Sequence, residues 1–443
     1  MFYKIVSLFI ILAFMSMFVH TDLFGLAGTA SSTIILGFML LSAYCIGFLL
    51  EKFGLPRITG YIFAGIVLGP YFLKYFNKDA VADLGFINSL ALSFIAFCAG
   101  GELKLSNIRN RLKSILFLIF GITSVVFIGV TLSVFSISGY IAFMSQYSLS
   151  TRLAISAIFG VIAVARSPSS AIAIISETKA KGDYTDTVLS VTVVMDVVII
   201  IFFAFVVSAC QVLISAGDTI AASFILYLLL EIVIAFVSGF FLGKAIIYLI
   251  EKVHVEFPVV IAAMGFIVIK FCHLLGSYFQ EVHDIGINLE PLLICMAAGF
   301  TVQNISKHGA TFLDRMDRVS LPIYISFFAI TGASINVEVL KAGWFLGLLI
   351  VCSRTLMLFI GSFYSGKLSG DRPVIYKNTW LGFITQAGVS LGLLTEVVRR
   401  FPEIGMPIQS ILIASISLNQ VIGPVAFKYG LNKVGETNVK NRG

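Results

Sequence analysis

Apolar residues run through this chain in long blocks, most of them close to the ~20 residues with which a helix crosses a bilayer. Polar residues gather in short stretches between the blocks. Fourteen blocks read as spans: 3–20, 33–50, 57–76, 84–103, 114–138, 150–176, 186–214, 219–248, 257–277, 290–305, 319–337, 343–366, 376–398 and 408–428. The first has one lysine, Lys4, before its apolar core but no small-residue cleavage site, so an uncleaved helix is expected rather than a signal peptide. Two spans are interrupted. The sixth contains Arg166-Ser167-Pro168-Ser169-Ser170, and the thirteenth contains Thr385-Gln386-Ala387-Gly388. A broken span frees backbone groups, which are tolerated at membrane depth only where protein or a wet cavity satisfies them. The seventh span carries one carboxylate, Asp196, in the middle of VTVVMDVVIIIFFAF. An ionisable residue inside a span is expensive and marks a functional candidate.

Composition agrees with the pattern. Of 443 residues, 58% are hydrophobic and 12% charged, against about 25% charged in soluble domains. The expected fold is an all-α polytopic membrane protein of about 13–14 transmembrane helices. The net charge of +7 does not point to nucleic acid, because the basic residues sit in loops. With the N-terminus inside, 21 of the 30 lysines and arginines fall in cytoplasmic segments and 6 in outer ones. The other three, Arg166, Lys270 and Arg354, lie within spans. That bias places both ends in the cytoplasm. The six cysteines all fall in apolar runs and read as small buried hydrophobes. No P-loop, HExxH or strand-bounded GxGxxG is present. No nucleophile–base pair lies outside the spans. An enzyme is therefore not expected, nor a cofactor or resident metal.

The chain also repeats weakly. YIFAGIVLGP in the third span matches ICMAAGFTVQ in the tenth, aligning Gly65 with Gly299. The ends of the fourth and eleventh spans align Gly100 with Gly332. The broken sixth span matches the broken thirteenth, and Asp196 falls where the fourteenth span carries Asn419. The two copies are separated by an odd number of spans, so they are inverted in the membrane. The expected organisation is an extra N-terminal or signal-like segment over 1–32, a first inverted repeat with the ion-binding helices over 33–214, a linker helix over 215–256, a second inverted repeat over 257–428 and a short cytoplasmic tail over 429–443. Inverted repeats with interrupted helices in corresponding places point to a secondary transporter with its site near the midplane.

The stretches GYIFAGIVLGP, FCAGGELKL, SPSSAIAII, GDYTDTVLSVTVVMDVV, FFAITGASI and TQAGVSLGLL, with Arg354 and Gly361, resemble the cation:proton antiporter superfamily over about residues 33–428. The resemblance implies a scaffold or dimer domain, a moving core domain, two crossing interrupted helices and an essential aspartate beside them. Asp196 matches that aspartate, and Arg354 matches the family's basic position facing the core. Kef-type members carry a C-terminal nucleotide-binding domain; here 15 residues follow the last span, so that domain is not expected. Two positions depart from the pattern. Met195 stands where the family often has Asn, Gln or a second Asp, which favours one proton per cation and electroneutral exchange. Arg166 stands in the crossover where many members have a small or acidic residue, and it brings positive charge to the site.

An apolar surround disfavours the charged form of a carboxylate, so Asp196 can hold either a proton or a cation, and their competition gives exchange. Thr192 lies four residues earlier on the same face. Ser167, Ser169, Ser170, Thr385 and Gln386 add oxygens, which suit hard cations. Arg354 and Arg166 supply compensating charge. The bland readings stay open: Asp196 as a structural partner of Arg166 or Arg354, and the serines and threonines as packing residues. The expected function is a secondary-active sodium or potassium:proton antiporter working by alternating access. The alternative is a sodium-coupled organic-anion transporter of related inverted-repeat fold, with an arginine on the anion. The expected partners are a monovalent cation, a proton, the lipid bilayer and a second copy of the chain in a homodimer. The expected location is a bacterial inner membrane.

Overall fold

A computed structural model describes residues 29–437, apart from 76, 106–108, 110, 215–221, 254–255, 284–288, 290, 336 and 387. The first expected span, 3–20, and the tail from 438 onward lie outside the described residues.

Every regular element among the described residues is helical. With short helical turns left unnumbered, the helices are α1 Thr29–Lys52, α2 Arg57–Leu68, α3 Gly85–Glu102, α4 Leu112–Ile137, α5 Leu149–Val164, α6 Pro168–Thr178 and α7 Asp183–Ile214. They continue as α8 Ala222–Tyr248, α9 Phe257–His283, α10 Pro291–Ile305, α11 Gly309–Ala333, α12 Val337–Ser369, α13 Gly388–Arg400 and α14 Pro402–Val434. Among the described residues, eight helical stretches are long and apolar enough to cross a membrane, and three more are shorter apolar helices. The chain is thus a multi-pass helical membrane protein.

Several expected bounds move, each for a local reason. The third span is helical only to Leu68, because Gly69 is extended (ψ −178°) and Pro70 disfavours helical geometry in the residue before it. α11 starts at Gly309, ten residues before the expected 319. Its first turns carry Asp314, Arg315, Asp317 and Arg318, which read as loop, yet Asp314 and Arg318 pair at 2.8 Å on one helix face. The break in the sixth span is Ala165–Ser167, starting one residue before the expected Arg166–Ser170 and ending three residues sooner. Pro168 opens α6, as suits a residue with no N–H to donate, so Ser169 and Ser170 lie in the first turn of that helix. The first half of the thirteenth span is not an α-helix. A single α-helical turn, Pro373–Tyr376, ends where the span was expected to begin, and a 3₁₀ turn, Thr379–Phe383, follows it. Cys352 is exposed, whereas the other five cysteines are buried.

The chain folds as two compact units. One takes residues up to Glu102, Ile172–Glu177 and Ala235–Val337; the other takes Leu103–Ala171, Thr178–Ile234 and Glu338 onward. Each unit therefore draws helices from both halves of the sequence. Within the first, helices touch through the glycines that the repeat aligned. A Cβ on Gly65 of α2 would collide with the Ala329 carbonyl of α11, and one on Gly332 of α11 would collide with the Ile62 carbonyl of α2. In the same way Gly100 of α3 faces the Met296 carbonyl of α10, and Gly299 of α10 faces the Phe97 carbonyl of α3. Small residues let membrane helices approach backbone to backbone, and here each member of a pair supplies the notch for the other.

In the first unit both oxygens of Glu177 accept from the Arg57 backbone N–H at 3.0 Å, satisfying an orphan donor at the start of α2. In the second, α14 ends on Gly435, whose φ of +80° turns the chain so that Glu436 reaches α7. The Glu436 carboxylate accepts from the backbone N–H groups of Tyr184 and Thr185, both at 2.8 Å. A carboxylate at a helix N-terminus is favoured by the macrodipole, so the end of α14 fixes the entry of the helix that carries Asp196.

Candidate functional site

The site lies wholly in the second unit and is built on the two breaks. α5 stops at Val164, with Ala165 extended (φ −61°, ψ 151°). Three non-helical residues later Pro168 begins α6. Opposite, the 3₁₀ turn ends at Phe383, and residues 384–386 run on to α13, which begins at Gly388. The breaks meet directly: the Ser167 N–H donates to the Thr385 carbonyl at 3.1 Å.

Interrupting two helices leaves carbonyls at their C-terminal ends without donors. Arg354, on α12 and fully buried, satisfies four of them. Its Nε donates to Ala163 O at 2.7 Å and its Nη1 to Ile384 O at 2.6 Å. Its Nη2 donates to Ala165 O at 3.1 Å and Phe383 O at 3.0 Å. The planar guanidinium fork has the reach for this and an ammonium does not. A positive charge at the C-end of α5 also opposes that helix's partial negative charge. Arg354 is therefore the clamp that holds the crossover.

Gln386 extends the clamp. Its Nε2 donates to Ile162 O at 3.1 Å, and its Oε1 accepts from Asn419 Nδ2 at 2.7 Å. Asn419, the repeat's counterpart of Asp196, thus touches the second break from α14. The serines form a small cluster. Ser167 Oγ lies 2.9 Å from Ser169 Oγ and 3.2 Å from Ser170 Oγ, and it accepts from the Ser170 N–H at 3.4 Å, capping α6. Thr192 is buried, but its hydroxyl donates to Val188 O at 2.7 Å on its own helix. Its proton is committed there, and its oxygen keeps acceptor capacity.

Asp196 is half-buried, mid-way along α7. Its neighbour Met195 is fully buried, with its sulfur 3.4 Å from the Thr123 hydroxyl of α4. Arg166 is 1% exposed and stacks on Phe383, its Cζ 4.3 Å from the ring centroid. Asp196 is the carboxylate that acts on it electrostatically. The structure thus joins Ser167 to Thr385 directly, and it brings Arg354, Gln386 and Arg166 to the same two breaks through Ala163, Ala165, Ile162, Phe383 and Ile384. It ties Ser169 and Ser170 to Ser167, and it places Asp196 half-buried on the neighbouring helix α7 without a direct bond to these residues. Phe383 was not singled out by sequence. The only signal for it was an aromatic residue just before the second break.

Residues 37–399 match the family described as sodium/hydrogen exchanger, transmembrane. The chain belongs to that family. A curated relative, described as a probable Na(+)/H(+) antiporter 3 of Methanocaldococcus jannaschii, is 25% identical over 392 residues, covering 86% of this chain and 92% of the relative. Two solved structures of the sodium proton antiporter MjNhaP1 from the same organism share the fold. One, at pH 8, gives a TM-score of 0.60 at 18% identity, over 91% of this chain and 95% of that one. The other, from electron microscopy, gives 0.69 at 16% identity, over 90% and 95%. As a sodium/hydrogen exchanger family member, this chain combines an arginine-clamped crossover with a second arginine, Arg166, that takes no part in the clamp.

Proposed function

We propose that the chain is a secondary-active monovalent cation:proton antiporter, in which protons and a sodium or potassium ion compete for Asp196. The observation that carries this reading is the clamped crossover with Asp196 on the next helix. The breaks gather hydroxyl, amide and carbonyl oxygens beside a half-buried carboxylate, and Arg354 relieves the charge at the helix ends. A carboxylate that must hold either a proton or a cation before the core moves gives obligatory exchange. Thr192, Ser167, Ser169, Ser170, Thr385 and Gln386 supply oxygens that help strip a small cation of water. Met195 supplies no second charge, so one proton is exchanged per cation and transport is electroneutral. The protein works as a homodimer in a bacterial inner membrane; its C-terminus lies in the cytoplasm, the orientation that the distribution of basic residues supports. Membership of an exchanger family supports a transporter rather than an enzyme.

The organic-anion alternative needs an arginine with donors to spare. Arg354 has spent its donors on four carbonyls and only Arg166 has donors left, while the family match speaks for cations. The test is a proteoliposome assay with a pH-sensitive dye, adding sodium, potassium and lithium in turn. Wild type moves protons against at least one of them, and Asp196→Asn abolishes that movement. Full exchange by the asparagine variant sinks the reading.

A further inference from the structure

The second break ends in a chain of two amides whose direction is fixed at its far end. The carbonyl of Ile162, in the last turn of α5, can only accept a hydrogen bond. Gln386 therefore turns its Nε2 toward it, at 3.1 Å. That leaves the Gln386 Oε1 to accept from Asn419 Nδ2 on α14, at 2.7 Å. An amide carries donor and acceptor on opposite sides, so Asn419 points its own oxygen away from Gln386. Asn419 is fully buried, and that oxygen has no hydrogen-bond partner among the described residues. One turn earlier on the same face of α14 stands Ser415, 1% exposed, and its hydroxyl has no partner among them either. Other hydroxyls in these helices spend their proton on the carbonyl four residues back. Ser410 of α14 does so on Met406 O at 3.1 Å, and Thr192 on Val188 O at 2.7 Å. Ser415 does not. Ser415 and Asn419 also repeat Thr192 and Asp196 at an offset of 223 residues, with a neutral amide in place of the carboxylate.

A buried carbonyl oxygen without a donor is costly. The group that satisfies it must bring an N–H, an O–H or a positive charge. Charge is disfavoured at this place. Arg354 already holds its own on Ile384 O, two residues before Gln386. α13 opens at Gly388, two residues after it, with the partly positive end of a helix. Among the described residues no carboxylate bonds to Asn419 or Ser415. A neutral donor is left. Side chains four apart on a helix have Cβ atoms about 5–6 Å apart, a gap that one water closes with two hydrogen bonds. We propose that Asn419 and Ser415 hold a buried water molecule, which donates to Asn419 Oδ1, bonds Ser415 Oγ and completes the second break. The first break is closed by its own hydroxyls, Ser167 with Ser169 and Ser170. The second is closed through Gln386, Asn419 and solvent. The chain of amides also accounts for the neutral residue on α14, because an ionised acid there has no proton to give Gln386. None of this depends on which residue binds the transported ion.

The test rests on a sign. Were the Ser415 hydroxyl without a partner, Ser415→Ala would remove an unsatisfied buried group and improve helix propensity, and the protein would melt higher. With a water bound, alanine loses that bond, and thermal unfolding in detergent comes roughly 2–4 °C lower. Ser410→Ala on the same helix is the control and shifts less. One water serves both residues, so the loss in Ser415→Ala combined with Asn419→Leu is smaller than the sum of the single losses. A higher or unchanged melting temperature for Ser415→Ala overturns the proposal, and so do additive losses in the pair. If Asn419→Leu does not fold, the sign for Ser415→Ala decides alone. An experimental map of wild type that resolves ordered water gives the direct reading. A single peak is expected about 2.5–3.0 Å from both Asn419 Oδ1 and Ser415 Oγ, and it persists when choline replaces sodium and potassium. The lack of a peak overturns the proposal. A peak present only with sodium or potassium makes the place a cation site and overturns it as well.

Discussion

Arg354 and Arg166 show how two identical side chains, both buried in one crossover, answer different needs. Arg354 joins four carbonyls from two chain segments. Arg354→Met leaves all four without donors, and each orphaned buried group costs about 1–3 kcal/mol. A loss of at least about 3 kcal/mol is expected, in line with breaking other buried charged contacts, and thermal unfolding in detergent reads it. Arg354→Lys recovers only part, because three donors on one point cannot span four acceptors. Melting of Arg354→Met at the wild-type temperature would remove the clamp from this account. The sequence marked Arg354 as basic and intramembrane, but it held no sign of which carbonyls the side chain would reach. Those partners lie between 29 and 191 residues away along the chain. The idle donors of Arg166 were equally hidden, since hydrogen-bond satisfaction is a property of the packed state.

At the scale of elements, the glycine pairs are the firmest determinants of packing. Gly100→Val would drive a side chain into the Met296 carbonyl and the Phe300 N–H of α10. These are backbone atoms that cannot swing aside, so α3 and α10 must part. The expected outcome is loss of a cooperative melt and of monodisperse protein in detergent. Gly392→Ala in α13 is the control. No atom lies within 4 Å of its added Cβ, and alanine gains up to ~1 kcal/mol in helix propensity. An intact melt for Gly100→Val would show that α3 and α10 have slack. These elements were largely legible beforehand, because an apolar block of span length has few alternatives and Pro168 and Gly388 announce the breaks. What misled was local chemistry. The charged start of α11 looks like loop until its i,i+4 pair is seen, and the 3₁₀ turn at Thr379–Phe383 has the same apolar composition as an α-helix.

For the whole molecule, the important fact is that each compact unit is assembled from both halves of the chain. The weak sequence similarity reads as consecutive repeats, while packing divides the chain into interleaved units. Neither half can then bury its own surfaces alone. Residues 1–256 and 257–443 expressed separately are expected to be protease-sensitive and inactive, and co-expressed they are expected to restore cation-driven proton movement. Stable, folded product from either fragment alone would contradict the interleaving.

The Arg354 clamp also sets a schedule for biosynthesis. The carbonyls of Ala163 and Ala165 wait for a donor made 191 and 189 residues later. At about 5–20 residues per second, that is a delay of roughly 10–40 s with a broken helix already emerging from the ribosome. Thr385, whose carbonyl accepts the Ser167 N–H, and Asn419, whose amide donates to Gln386, come later still. The first crossover must therefore be sheltered by the insertion machinery or by water until translation is nearly complete. Truncated chains that stop before α12 carry that unsatisfied break permanently, which gives a quality-control protease a ready mark for unfinished molecules.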